Sequence, residues 1–260
     1  MKLTDVLAEI LKKNSVKQVF GLQGGAVVHI FDSLEKYKIQ VTYTNHEESA
    51  ALAATANAKV NENIGCVVVT TGPGSTNAIT GLLAAWQDSV PCLFISGQAR
   101  STHVSYGKKV RQVGTQEVNI CDIVRPITKY TKFINNKNNF IHEVNNAIKI
   151  AKEGRPGPVW LDIPIDLQWT NIKFSKNKLK KISISNKKNV KKNKLNLSLK
   201  LINQSSRPLL VLGYGVRSSN KSISKIKKLI FNKKIPFVTT WNGLDLISTN
   251  NKFNLGIIGM

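Results

Sequence analysis

Read from its amino end, the chain alternates two spacings of apolar residues. Leu3, Val6, Leu7, Ile10 and Leu11 recur every three or four positions, the period of one helical face, with Thr4 or Asp5 near the start. A short strand over 16–20 is then expected to stop at Gly21, followed by a helix over 27–34 and a strand over 41–43. Residues 47–60 are alanine-rich and read as helix. Cys66-Val67-Val68-Val69 is a continuous apolar run, the mark of a strand buried on both faces. Gly72-Pro73-Gly74 opens a helix running to about Trp86, and a second buried strand is expected over 92–96. Ile141, Val144, Ile148 and Ala151 share one face of a helix over 138–152, and a last strand follows over 158–163. This alternation predicts an α/β fold with a doubly wound, mostly parallel sheet and helices on both faces.

The pattern lapses at residues 171–200, which hold eleven lysines and no acid, and then resumes. A strand is expected over 209–212, ended by Gly213-Tyr214-Gly215, then a helix through Ile223, Ile226, Leu229 and Ile230, then a strand over 236–240. Leu195, Leu197, Leu199 and Leu201 alternate with the period of a strand, but the βαβ context asks for a helix before Leu209, and helix is the expectation. The expected organisation is a complete α/β domain over 1–166, a lysine-rich linker over 167–193 and a partial second α/β domain over 194–260. Two strands are few for an independent sheet of this class.

Composition narrows the function classes. With 42% apolar residues the chain has enough to fill a core, which excludes wholesale disorder. The net charge of +23 invites a nucleic-acid reading, but about half of the excess sits in the 171–200 tract. That tract has no arginine to read bases and only Phe174 to stack on them. A solvated linker and a phosphate-binding segment are the two readings, the first preferred. No run of about 18 apolar residues is present, so no spanning helix is expected. The amino end lacks a signal-peptide pattern. Cys66, Cys92 and Cys121 are widely spaced in apolar runs and suit buried thiols of a cytoplasmic protein.

Candidate chemistry lies in four turns after strands, where open α/β sheets bind ligands. The first, Gly21-Leu22-Gln23-Gly24-Gly25-Ala26, allows close backbone approach but also suits a plain tight turn. In the second, Asn45-His46-Glu47-Glu48, Asn45 suits an N-cap and Glu48 a capping-box acid, so catalysis and helix capping both stay open. The third, Thr70-Thr71-Gly72-Pro73-Gly74-Ser75-Thr76-Asn77, places a proline near a first helical turn whose amides can face an anion or a polar ring. The fourth is Ser96-Gly97-Gln98. Gly213-Tyr214-Gly215 lacks a dinucleotide fingerprint.

The order and spacing of GLQGGA (21–26), NHEESAA (45–51), TTGPGSTNAITGLLAAWQDSVP (70–91), ISGQ (95–98), VRQVGTQE (110–117), RPITKY (125–130) and GRPGPVWLDIP (154–164) resemble the N-terminal pyrimidine-binding domain of thiamine-diphosphate enzymes, especially the acetolactate synthase large-subunit group. RPLLVLGYGV (207–216) and PFVTTWNGLDLI (236–247) resemble the start of that family's central domain. The resemblance implies that Glu47 hydrogen-bonds the cofactor's pyrimidine ring, and a carboxyl walled by alanines suits sharing a proton with a ring nitrogen. The imino nitrogen then removes the thiazolium C2 proton, and the cofactor acts as electron sink for decarboxylation of a 2-oxo acid, with carboligation to follow. Leu22, Gln23, Gly24 and Gly25 would line the pyrimidine site, and Pro73, Asn77 and Gln116 would sit close to the cofactor or to a partner subunit's site. His46 and Gln98 are further candidates. The glycines equally suit their turns alone, and Asn77 helix packing.

Several positions depart from the family. Gln23 stands where many relatives have proline, Thr115 where many have phenylalanine, and Glu48 where a glutamine is common. The stretch 130–135 carries no arginine, which argues against FAD. No GDG occurs, so the Mg²⁺ and diphosphate contacts of the family's C-terminal domain are not expected from these residues. The resemblance implies a small 2-oxo acid as substrate and a homodimer or tetramer in the full-length form, with no nucleic-acid or membrane partner. A catalytically silent subunit of the same fold and a basic nucleic-acid-binding protein are the alternatives. The linker reading of the lysine tract predicts DNA binding with a flat salt response. Anisotropy of a labelled duplex between ~50 and ~200 mM salt tests this, and a steep fall in affinity would return the phosphate reading.

Overall fold

The computed structural model describes residues 1–174, 182, 192–218 and 220–259; most of the lysine tract lies outside the described residues. The chain divides into two compact units, Met1–Lys187 and Lys188–Met260.

The first unit runs α1 (Leu3–Lys13), β1 (Gln18–Gly21), α2 (Val28–Lys36), β2 (Gln40–Tyr43), α3 (Glu47–Asn61), β3 (Gly65–Val69), α4 (Pro73–Asn77), α5 (Ile79–Gln87), β4 (Cys92–Gln98), α6 (Ile120–Val124), β5 (Tyr130–Phe133), α7 (Phe140–Lys152), β6 (Val159–Pro164) and α8 (Ile165–Gln168). The strands form one sheet in the order β2-β1-β3-β4-β6-β5, and its pairings are parallel, as the alternation predicts. Successive side chains of a strand point to opposite faces. Cys66, Val68, Leu93, Ile95, Val159, Leu161 and Ile163 accordingly join α1, α2 and α7 in one core. Val67, Val69, Cys92, Phe94 and Trp160 join α3, α5 and α6 in the other. Both faces are covered, which is why β3, β4 and β6 read as nearly continuous apolar runs. Burial pushes the thiols of Cys92 and Cys121 up to about 12, and that of Cys66 up as well, so all three are protonated inside the fold.

The helix expected from Gly72 to about Trp86 is two helices. At Ala78 the backbone opens to ψ −5°, and its N–H turns to the Ser75 carbonyl, three residues back. The expected Asn45 cap is also displaced: His46 caps α3, its Nδ1 accepting from the Glu48 N–H at 3.2 Å. Asn45 stands exposed one residue outside. Beyond β6 the chain still packs on this unit, with the Ile172 N–H bonded to the Met1 carbonyl.

The second unit contains α9 (Lys192–Gln204), β7 (Leu210–Leu212), α10 (Asn220–Lys233), β8 (Phe237–Thr239) and β9 (Asn254–Ile257), with a parallel sheet ordered β7-β8-β9. Its core is small: Leu212, Ile230, Phe237, Leu246 and Ile247. The alternating leucines are helical. On a helix, positions two apart fall on opposite sides, so Leu195 and Leu199 face away from Leu197 and Leu201, and all four are exposed. No helix among the described residues is long and apolar enough to cross a membrane.

Gly97, near the carboxyl end of β4, lies against the turn after β1: a Cβ there would fall 1.9 Å from the Ala26 carbonyl oxygen. Gly25, in the same turn, has nothing within 4 Å of the corresponding position. Gly97→Ala is therefore expected to destabilise the first unit by about 1–3 kcal/mol, while Gly25→Ala is neutral or slightly stabilising. Thermal unfolding followed by circular dichroism checks the contrast.

Candidate functional site

In a sheet ordered β2-β1-β3, the chain leaves β1 toward one side and returns on the other, so the carboxyl ends of β1 and β3 flank the topological switch point. The turns that follow these strands touch. The Ala26 N–H donates to Thr70 Oγ1 at 3.3 Å, and a Cβ at Gly24 would meet the Thr70 side chain at 2.6–2.8 Å. Thr70 also fills the space beside Gly74, where a Cβ would lie 2.6 Å from its Cγ2.

Glu47 stands at the base of this crevice. It is the first residue of α3, behind the His46 cap, and only 7% exposed. Burial of Ala50, Ala51, Ala54 and Ala58 on one side of α3 brings the helix close to the sheet and carries Glu47 inward. Its Oε2 accepts from Asn77 Nδ2 at 3.0 Å, and its Oε1 lies 3.3 Å from where a Gly74 Cβ would be. A side chain at position 74 would crowd that carboxyl.

The third turn closes on a loop from farther along the chain. Gly72 has φ +62°, and a Cβ there would fall 2.4 Å from the Gln116 carbonyl oxygen. Gln116 itself has φ +57°. Thr71 Oγ1 lies 2.7 Å from Gln98 Oε1 and 3.3 Å from the Gln116 carbonyl. Pro73 opens α4 at its first turn, as the sequence suggests.

Of the residues singled out from sequence, Glu47 and Asn77 are in direct contact, with Gly74 against the same carboxyl and Gly24 joined to it through Thr70. Gln116 joins through Gly72, with Pro73 next in the chain. Pro73, Asn77 and Gln116 form an exposed rim. In the first turn Leu22 is half-buried, Gln23 and Gly25 are exposed, and open space lies above Gly25. His46 is exposed and capping, and Gln98 is fully buried beneath the rim rather than on it.

Two residues not singled out from sequence support the site from behind. Gln168 is fully buried, and its Nε2 donates to the Ala26 carbonyl at 2.6 Å and the Ile163 carbonyl at 2.9 Å, bracing the first turn. Asp162, also fully buried, accepts from Ser96 Oγ at 2.6 Å, Gln98 Nε2 at 2.9 Å and Tyr106 Oη at 3.2 Å. Burial raises its pKa and the three donors lower it, leaving it at about 7. A lone acid in the apolar run Val159-Trp160-Leu161-Asp162-Ile163 was the available signal for it. Gln168 had none.

Two family models match this chain. The N-terminal TPP binding domain of thiamine pyrophosphate enzymes covers residues 1–123, and the central domain of the same enzymes covers 195–260. The chain belongs to the thiamine pyrophosphate enzymes. Within this family it is similar to acetolactate synthase large subunits. It is 32% identical to that of Pyropia yezoensis over 98% of this chain, 31% to that of Haemophilus influenzae over 98%, and 33% to that of Lactococcus lactis over 99%. The match takes in only 43–44% of those relatives, so the chain spans less than half their length.

For a thiamine pyrophosphate enzyme, the residues present fit the pyrimidine end of the cofactor. A buried carboxyl, a glycine turn with room above it, and a rim bearing side-chain amides match a flat heterocycle with ring nitrogens and an amino group. Among the described residues no cluster of three or more His, Cys, Asp and Glu gathers to hold a metal. The Glu47–Asn77 bond predicts that Asn77→Ala, which strips a buried carboxyl of its donor, lowers unfolding stability by about 1–3 kcal/mol. Asn77→Asp, which sets a second acid against the first, is expected to cost more. Chemical denaturation checks the order, and an unchanged Asn77→Ala would mean the bond is not made in solution.

Proposed function

We propose that these residues form the pyrimidine half of a thiamine-diphosphate site in a 2-oxo-acid decarboxylase or carboligase of the acetolactate synthase type. The observation that carries this reading is the buried Glu47 carboxyl, held by Asn77 between two glycine turns at the switch point of a parallel sheet. Leu22, Gln23, Gly24 and Gly25 would lie along the ring, and Pro73, Asn77 and Gln116 along the rim of the crevice. Thiamine diphosphate, when bound, supplies an acidic thiazolium carbon and an electron sink for decarboxylation.

The chain's own part is to place a proton. Glu47 would share it with a ring nitrogen of the pyrimidine. Asn77 fixes the carboxyl by donating to Oε2, and Oε1 is the oxygen that would meet the ring. The alanine wall of α3 and the packed turns keep water from competing for that hydrogen bond. Diphosphate and Mg²⁺ contacts are not assigned to residues 1–260, which hold no GDG. A small 2-oxo acid such as pyruvate is the proposed substrate, a dimer or tetramer the assembly, and the cytoplasm the setting.

The test joins residues 1–260 to the remaining C-terminal part of the Haemophilus influenzae relative and follows CO₂ release from pyruvate. The chimera is expected to turn over, Glu47→Gln to lose about 10²-fold or more, and residues 1–260 alone to show negligible turnover. Full activity in Glu47→Gln would overturn the assignment of Glu47, and robust decarboxylation by the isolated residues would overturn the half-site reading.

A further inference from the structure

Behind the crevice lies a buried polar chain that the packing of the sheet does not require. Residues 160 and 162 of β6, and 94, 96 and 98 of β4, share the face toward α3 and α5 by strand parity. Trp160 stacks on Phe94 there, with ring centroids 5.1 Å apart. One step toward the carboxyl end, Ser96 and Asp162 stand opposite each other in register, and both are fully buried. Two apolar side chains would extend the stack at no desolvation cost. A carboxyl in their place costs several kcal/mol unless its hydrogen bonds are complete.

Those bonds lead to the site. Asp162 Oδ2 accepts from Gln98 Nε2 at 2.9 Å. The same Nε2 donates to the Val118 carbonyl at 2.9 Å, two residues from Gln116. With both of its amide hydrogens so placed, Gln98 must turn Oε1 the other way. There it accepts from the Ala99 N–H at 2.9 Å and from Thr71 Oγ1 at 2.7 Å. Thr71 precedes Gly72, whose missing Cβ lets the turn lie against the Gln116 carbonyl. Gly72 in turn starts α4, held by Ser75 Oγ donating to the Gly72 carbonyl at 2.8 Å, and α4 ends at Asn77, the donor to Glu47.

We propose that Asp162 is a positioning residue for this site: by fixing the amide orientation of Gln98, and through it the hydroxyl of Thr71, it sets the Gly72 turn against the Gln116 loop and so places Asn77 on the Glu47 carboxyl. Its functional meaning rests on the reading of Glu47 as the cofactor-facing acid, but its test needs no cofactor, so a failed thiamine reading leaves the result standing.

The titration of Asp162 supplies the probe. The titratable groups facing it are Tyr106, on the loop before α6, and Cys121, on α6. Burial and the Asp162 charge raise both, Cys121 to about 12, so neither changes charge between pH 5 and pH 9. Asp162, raised from 3.8 to about 7, changes charge inside that window. Because its folded pKa is the higher, the native state binds the extra proton. The stabilisation from that proton is full below the ordinary carboxylate range and is lost as pH rises through about 7.

The experiment follows amide resonances of the ¹⁵N-labelled chain from pH 5 to pH 9. The Gln98 side-chain amide, the Gly72 backbone amide and the Asn77 side-chain amide are expected to titrate with one common midpoint near 7. Asp162→Asn is expected to abolish that shared component. Where Asp162→Asn does not fold, Tyr106→Phe serves: removing a donor to the carboxylate moves the common midpoint upward at all three probes. The proposal is overturned if Gln98 titrates while Gly72 and Asn77 hold still, or if none of the three responds.

Discussion

At Gly97, Gly72 and Gly24 a Cβ would fall 1.9, 2.4 and 2.6 Å from a neighbouring atom, so the segments meeting at the carboxyl edge of the sheet do so only where hydrogen stands in place of a side chain. That close approach organises the rest. The first turn lies on β4 and on Thr70, the third lies on the Gln116 loop, and Glu47 is enclosed between them. Elsewhere the sheet is held by apolar packing on both faces, which tolerates exchange of one aliphatic residue for another of similar volume. Backbone packed against backbone tolerates far less, because at Gly97 and Gly72 the obstructing atom is a carbonyl oxygen that cannot change rotamer.

Enclosure has an electrostatic consequence. Buried polar groups retain their place only with partners, and here the partners are drawn from distant parts of the chain. Asn77 serves Glu47, while Ser96, Gln98 and Tyr106 serve Asp162. Gln168 serves the Ala26 carbonyl. The Gln168 and Tyr106 bonds tie a turn and a loop to the frame, the Ser96 and Gln98 bonds lock β4 to β6, and the Asn77 bond joins α4 to α3, so the rim is held from beneath. The two acids differ in setting. Glu47 borders the crevice at a helix start, whereas Asp162 is sealed within a strand pair, where burial outweighs three donors and lifts it to about 7.

How much of this could be read from sequence follows from the same physics. β3, β4 and β6 were legible because burial on both faces leaves no polar residue to interrupt them until Ser96 and Asp162. β5 was not expected as a strand: Tyr130-Thr131-Lys132-Phe133 lies at the sheet edge, each residue half-buried, and shows neither a continuous run nor an alternation. α6 and α8 have five and four residues, too few for a helical period to show. The alternating leucines of α9 imitate a strand because exposure leaves them free of any one-sided pattern. At the site, glycine turns and the Asn45–Glu48 segment were visible as local motifs. The His46 cap was missed, since an imidazole nitrogen replaces the more usual oxygen acceptor. Thr70, Gln98 and Gln168 act through contacts between segments far apart in the chain, which no local spacing encodes.

The proposed function turns on one atom pair: an oxygen of Glu47 and a nitrogen of the pyrimidine ring. The match to thiamine pyrophosphate enzymes accounts for the order of the turns, and the proposed contact with a heterocycle rests on the enclosure of Glu47 and its Asn77 donor. The most direct test is the ¹⁵N chemical shift of pyrimidine-labelled thiamine diphosphate bound to an assembly that contains this chain. A ring-nitrogen resonance displaced toward the protonated position, and returning to the free value in Glu47→Gln, is the predicted result. A resonance that is the same in both proteins would contradict the account.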